Sequence, residues 1–247
     1  SQNSASAIIV LNTIVANQLM EFKKEMDDRM AAGEEKKVAT VEILKRYYKE
    51  SKKILFEGNG YSDEWVKEAA ERGLTNMRET FDALHAYVTE PTIQAFAKTG
   101  VLSSRELHAR YEIELENYVK KLQIESRVIG DLALNHIVST VVKYQFKLAQ
   151  TARSLTDLDM LVEAEPIKEI IKDISAHVVV IKRLVHEMTE ARKTANNVED
   201  LFERAKLYGS DVKGYFEEIR YHVDKLELLI DDEDWPLAKY REMLFLE

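Results

Sequence analysis

The sequence predicts an all-α fold, a long-helix antiparallel bundle projecting from a smaller helical subdomain, and two observations predict it. Glycine and proline are scarce, 8 and 3 among 247 residues, so the chain makes few turns and few strand corners. Apolar side chains recur at three- and four-residue spacings over long stretches, the period of one helix face. With 45% apolar residues, the chain has enough to bury a sizeable core and is not wholesale disordered.

The elements follow in order. From residue 8 to about 31, Leu11, Ile14, Val15, Leu19, Phe22 and Met26 trace one stripe, with Gly33 just beyond. The chain begins at Ser1 without Met and runs at once into Ala7-Ile-Ile-Val-Leu11, which reads as a boundary inside a longer protein. The stripe of this first helix is therefore expected to lack its upstream partner. A second helix is predicted from about Val38 to Phe56, with Val41, Leu44, Tyr48, Ile54 and Leu55 on its buried side, broken by Gly58-Asn-Gly60. Ser62 is placed to cap a short helix Asp63–Arg72, with acids in its first turn and Gly73 as its left-handed stop. Residues 74–103 read as irregular, with one short helix after Pro91 that ends at Gly100.

Ser103 and Glu106 have capping-box spacing. From there a helical pattern runs to about Ser154, interrupted only by Gly130. About 50 residues make a rod of roughly 75 Å, which needs partner helices. Pro166 is expected to open one, to about Ala195, with Ile167, Ile170, Ile174, Ile181, Leu184 and Met188 on one stripe. A short helix is predicted at Val198–Leu207. Another, Asp211–Ile230, carries Val212, Tyr215, Ile219, Val223, Leu226 and Leu229 on one face. These spacings suit antiparallel packing. The closing stretch Trp235–Phe245 is rich in large apolar groups and is expected to dock rather than lie exposed.

Charge and composition exclude several functions. Lys and Arg number 35 against 44 Asp and Glu, a net charge of −9, which argues against nucleic acid or an anionic membrane as partner. No cysteine is present, so disulfides, thiolate metal sites and cysteine nucleophiles are excluded. The longest apolar runs, such as Ala7–Leu11, fall short of the roughly 18 residues that span a bilayer. No signal peptide opens the chain, and a cytoplasmic location is expected.

Candidate chemistry is sparse. No Walker loop or dinucleotide fingerprint occurs, and Gly58-Asn-Gly60 is read as a turn. Asp82-Ala-Leu-His85 is the single acid-x-x-His, whereas a di-iron bundle needs such pairs on facing helices. His136, His177 and His222 lie close to apolar seams on three different segments. Three imidazoles from three helices can bind zinc, but nothing in the sequence sets them at one height, and core or seam histidines are the plainer reading. Glu125 and His136 fall on the line of Tyr111, Leu115, Tyr118, Leu122, Ile129 and Leu132, eleven residues and about 16 Å apart. That distance suits a register-setting polar network better than an acid–base pair. Arg220, Tyr221, Asp224, Lys225 and Glu227 read as a solvated face.

Several stretches, taken together, resemble glutamine synthetase of the type III class. They are Ile9-Val-Leu-Asn-Thr-Ile-Val-Ala16, Phe56-Glu-Gly-Asn-Gly-Tyr-Ser-Asp-Glu-Trp-Val66 and Leu107-His-Ala-Arg-Tyr-Glu-Ile-Glu-Leu-Glu-Asn-Tyr118. Ile219-Arg-Tyr-His-Val-Asp-Lys-Leu-Glu-Leu228 and Trp235-Pro-Leu-Ala-Lys-Tyr-Arg-Glu-Met-Leu-Phe245 resemble the family's C-terminal end. Ser139 and Ala238 depart from it, standing where proline is expected. The resemblance implies that residues 1–120 are the helical tail of a catalytic domain and 121–247 a type III extension. It also implies that the metal-binding carboxylates and phosphate-binding arginines lie upstream, so no catalytic, cofactor-binding or metal-binding residue is assigned to this chain. The parent would use ATP, with Mg or Mn, to phosphorylate glutamate before ammonia displaces the phosphate. Other subunits of the same enzyme are the expected partners. Two rivals stand beside this reading: a free-standing helical adaptor for a protein partner, and a metalloprotein using His136, His177 and His222.

Overall fold

A computed structural model describes residues 4–244, less the side chains of residues 240 and 241. Among these residues every regular element is helical, as expected. The chain divides into two compact units, Ser1–Ile113 and Glu114–Glu247.

The first unit holds α1 (Ala5–Ala31), α2 (Lys36–Glu50), α3 (Asp63–Glu71), α4 (Thr80–Leu84), α5 (Glu90–Thr99) and the start of α6 (Ser104–Asp131). The predicted end signals are where the sequence puts them. Gly33, at φ 92°, turns the chain out of α1, and the Glu34 amide donates back to the Arg29 carbonyl at 3.1 Å. The Ser62 Oγ accepts from the Trp65 amide. Gly100, at φ 67°, caps α5. Ser103 and Glu106 close their capping box, with the Ser103 amide donating to Glu106 Oε2 at 2.8 Å.

The buried side of this unit differs from the expected one. Leu11, Ile14, Val15 and Leu19 of α1 are exposed, as are Val41, Leu44, Tyr48, Ile54 and Leu55 on and beyond α2. The inward positions are Thr13 of α1 and Ala39 and Ile43 of α2 instead, with Phe81, Phe96 and Leu107 completing the core. Thr13 is tolerated there because its hydroxyl donates to the Ile9 carbonyl at 2.7 Å. Phe22 and Tyr47 meet edge to face at 4.4 Å, which pins α1 to α2. The second helix ends at Glu50 and continues as a 3-10 turn, Ser51–Ile54. Residues 74–103 hold α4 and a 3-10 turn His85–Val88 besides α5. These pieces are too short to show a 3.6-residue period.

α1 also corrects the reading based on uninterrupted runs. One 18-residue window has mean hydropathy 1.3, enough by length and composition to cross a membrane, and only 6% of that window is buried. Scattered Asn and Thr break its runs, yet the average stays high enough.

The second unit is built on a hairpin. α6 passes through a π-helical segment, Leu132–Val138, into α7 (Ser139–Asp157). A three-residue turn, with Asp159 at φ 58°, reverses the chain into α8 (Leu161–Asn196). Gln145 Nε2 donates to Ser175 Oγ at 2.8 Å and to the Ile171 carbonyl at 3.1 Å, which fixes the register of α7 on α8. α9 (Leu201–Leu207), a second π-helical segment Tyr208–Val212 and α10 (Gly214–Glu227) return along α8, and α11 (Tyr240–Met243) closes the chain. The predicted stripes are the observed core here: Ile174, Ile181, Leu184 and Met188 of α8 face Val212, Ile219 and Leu226.

Three details depart from expectation. Pro166 lies inside α8, not at its start. Its φ suits a helix and it forfeits only the bond to the Val162 carbonyl, while Ala164 before it is fully buried. Gly130 does not interrupt α6. A Cβ there would meet Val185 Cγ1 at 3.3 Å, so glycine lets α6 approach α8 closely. The buried line of the long helix is Leu115, Val119, Leu122, Ser126, Ala133, Ile137 and Val141, rotated from the one through Glu125 and His136.

Candidate functional site

The three seam histidines separate into a pair and an outlier. His177, from α8, and His222, from α10, each sit one turn from fully buried isoleucines, Ile174 and Ile219. That placement turns the two rings toward each other, and their Nδ1 atoms are 2.8 Å apart. The Tyr221 ring meets the His222 ring edge-on, with centroids 5.2 Å apart. Burial holds the His222 imidazole below the ordinary histidine range. The His177 ring and Arg183 act in the same direction, and Glu218 opposes them.

His136 is elsewhere. It is half exposed on the π-helical segment, with Nε2 3.7 Å from Asp131 Oδ2. Asn135 donates to the same carboxylate, and Glu125 faces solvent. Among the described residues, the contacts of Asp131, Asn135 and His136 are thus local ones on the surface of a single helix, not the expected register-setting network. Among the described residues no three His, Asp or Glu side chains are grouped to hold a metal ion. The triad of His136, His177 and His222 does not assemble.

The remaining sequence candidates take part in local packing and turns. The turn at Gly58-Asn-Gly60 is closed by Asn59 Oδ1, which accepts from the Tyr61 amide at 3.0 Å. Phe56 and Trp65 stack across it at 3.9 Å, and Arg72 lies over the Trp65 ring. The His85 ring meets the edge of Tyr111 at 6.2 Å. Arg220 and Asp224 pair at 3.6 Å on the exposed side of α10, and Lys225 lies over Tyr221. In the closing stretch, Trp235 is 9% exposed and Asp234 accepts from Lys147 of α7 at 2.7 Å. This part is docked, whereas Met243 and Leu244 are exposed. Phe245 lies outside the described residues.

One feature escaped the sequence. A half-open cavity of about 440 Å³ lies where the π-helical segment faces α10. Ile129, Ala133, Ile137, Phe216 and Leu237 line it, with Glu217 and Arg220 beside them. A π turn widens the helix locally, and the spacing of apolar residues alone does not show which turn will widen.

Comparison with known proteins sets these features in a family. The glutamine synthetase C-terminal domain matches residues 39–156. Glutamine synthetase of Bacteroides fragilis (strain YCH46) is 47% identical over 99% of this chain and 34% of its own length. Glutamine synthetase of Butyrivibrio fibrisolvens is 32% identical over 96% of the chain and 34% of its own. The type-3 glutamine synthetase of Dictyostelium discoideum is 28% identical over 96% of the chain and 33% of its own. The chain therefore spans about a third of the length of these curated relatives. With such identity along nearly all its residues, the chain belongs to the glutamine synthetase family, as a C-terminal part of the type III class.

Proposed function

We propose that this chain is a non-catalytic part of an enzyme that ligates ammonia to glutamate at the expense of ATP, completing the catalytic domain and holding subunits together. One observation carries the reading. Leu11, Ile14, Val15 and Leu19 of α1, and Val41 and Leu44 of α2, all large apolar side chains, are uncovered. At about 25 cal/mol per Å² such a face strongly favours a protein partner. The relatives carry roughly two thirds of their length beyond the stretch matched here, and that remainder supplies the partner. A lipid core suits α1 less well, because Asn12, Asn17 and Gln18 would carry unsatisfied amides into it.

In this reading ATP and the Mg or Mn ions that screen its phosphates are bound by the remainder of the enzyme, and other copies of the same enzyme are the partners of the helical hairpin. No nucleic acid is bound, in keeping with a net charge of −9. The test is direct. The chain, given ATP, magnesium, glutamate and ammonium, is expected to form no glutamine. Supplied with the remainder of a type III synthetase, it is expected to enter one oligomer with it. Glutamine formation by the chain alone overturns the non-catalytic role.

A further inference from the structure

We propose that His177 and His222 share a single proton between their Nδ1 atoms and so form an acid-sensitive latch between α8 and α10. The separation of 2.8 Å is that of a hydrogen bond, and the direction of the rings agrees. The ring centroids are 5.1 Å apart. That equals the Nδ1 separation plus one ring radius at each end, about 1.1 Å for five-membered rings with bonds near 1.33 Å. The two nitrogens therefore aim at each other head-on. A tetrahedral zinc ion, with Zn–N bonds of about 2.0–2.1 Å, would hold its two nitrogens roughly 3.3–3.4 Å apart, their lone pairs converging on the metal. The geometry selects a proton over a metal.

A neutral imidazole carries one N–H. With one ring donating from Nδ1 and the other accepting, the pair is satisfied. One added proton, placed on the far nitrogen of the donor ring, leaves the bond intact. A second, on the accepting Nδ1, sets two N–H groups and two positive charges face to face, and the contact must open.

The charged and titratable groups on the elements packed around the pair decide how readily this happens. α8 brings Asp173 and Arg183, α10 brings Glu218, Tyr221 and Lys225, and α7 brings Lys143 and Tyr144. Asp131 and His136, at the π-helical segment, are occupied with each other. Glu218 favours the second proton, whereas burial, the His177 ring and Arg183 disfavour it. Released α10 therefore binds protons that the packed helix does not. The latch is fully closed above the ordinary histidine value of 6.5 and loosens as pH falls below it. Opening exposes Ile219 and Leu226, which are now buried against α8, and enlarges the cavity that α10 lines.

Amide hydrogen exchange of the 247-residue chain between pH 7.5 and 5, corrected for intrinsic rates, tests the latch. Protection of α10 in the unaltered chain should fall, below pH 6.5, by up to about tenfold per pH unit, the limit for one linked proton. His222→Asn, which can hydrogen-bond but does not titrate there, should flatten that profile while the opening of α7 stays unchanged. A second measurement needs no variant: nitrogen-15 spectra of labelled histidines should show one of the two Nδ1 atoms protonated and the other not. Parallel profiles for the unaltered chain and His222→Asn overturn the proposal, as do two rings both protonated only at Nε2. Protection of α10 that rises with zinc chloride and is lost to EDTA also overturns it, by placing a metal between the rings.

Discussion

At the residue scale, Tyr208 and Ser62 each have a specific hydrogen-bond partner, and the removal of either has a calculable effect. The Tyr208 ring is fully buried, and its hydroxyl donates to Asn196 Oδ1 at 2.7 Å. Burial raises the Tyr208 phenol above its ordinary range, with Gln123 opposing, so the hydroxyl stays protonated as a donor. Asn196 Oδ1 also accepts from Gln123 Nε2 and is not orphaned when the phenol is lost. Tyr208→Phe should therefore cost only about 0.5–1.5 kcal/mol, the net worth of one hydrogen bond, read as a lower denaturant midpoint at unchanged m-value. Ser62→Ala removes the single side-chain cap of α3 and should cost about 1 kcal/mol, seen as faster amide exchange confined to Asp63–Glu71. Such caps were legible because they depend on two residues three apart. The facing of His177 and His222 was not. Their spacing from Ile174 and Ile219 placed each near the seam, but meeting at one height depends on the register of α10 on α8, which the π-helical segment Tyr208–Val212 helps to set.

At the element scale, the two units teach opposite lessons about apolar stripes. In α8 and α10 the predicted stripe is the buried one, because each helix has its partner within the chain. In α1 and α2 the same kind of stripe is exposed, because sequence periodicity reports which face seeks cover, not where the cover comes from. The two cases separate experimentally. Ile181 is fully buried, and Ile181→Ala should cost about 2–5 kcal/mol in the chain by itself. Leu11 is 62% exposed, and Leu11→Ser should change the stability of the chain by less than about 0.5 kcal/mol, measured by the same denaturant titration. A large loss at Leu11 would mean that its face is covered by this chain or a second copy of it. Helix α6 shows a further limit of periodicity. The sequence line through Glu125 and His136 and the buried line share Leu115 and Leu122, but they part already at Val119 and Ser126, so the apolar spacing marks a helix without fixing which edge of its stripe is buried.

At the scale of the whole molecule, scarce glycine and proline fixed the class correctly, and residue motifs pointed to the type III synthetases that the relatives bear out. What holds this part to the remainder of the enzyme is the central claim, and it rests on the uncovered face of α1. The absence of cysteine makes one measurement clean on this chain: Leu11→Cys, reacted with a maleimide. Labelling is expected to be fast in the chain alone and at least about tenfold slower when the same substitution is carried in a full-length type III synthetase, as burial of the side chain requires. Equal rates in the two would show that α1 stays uncovered in the enzyme, and would contradict the account.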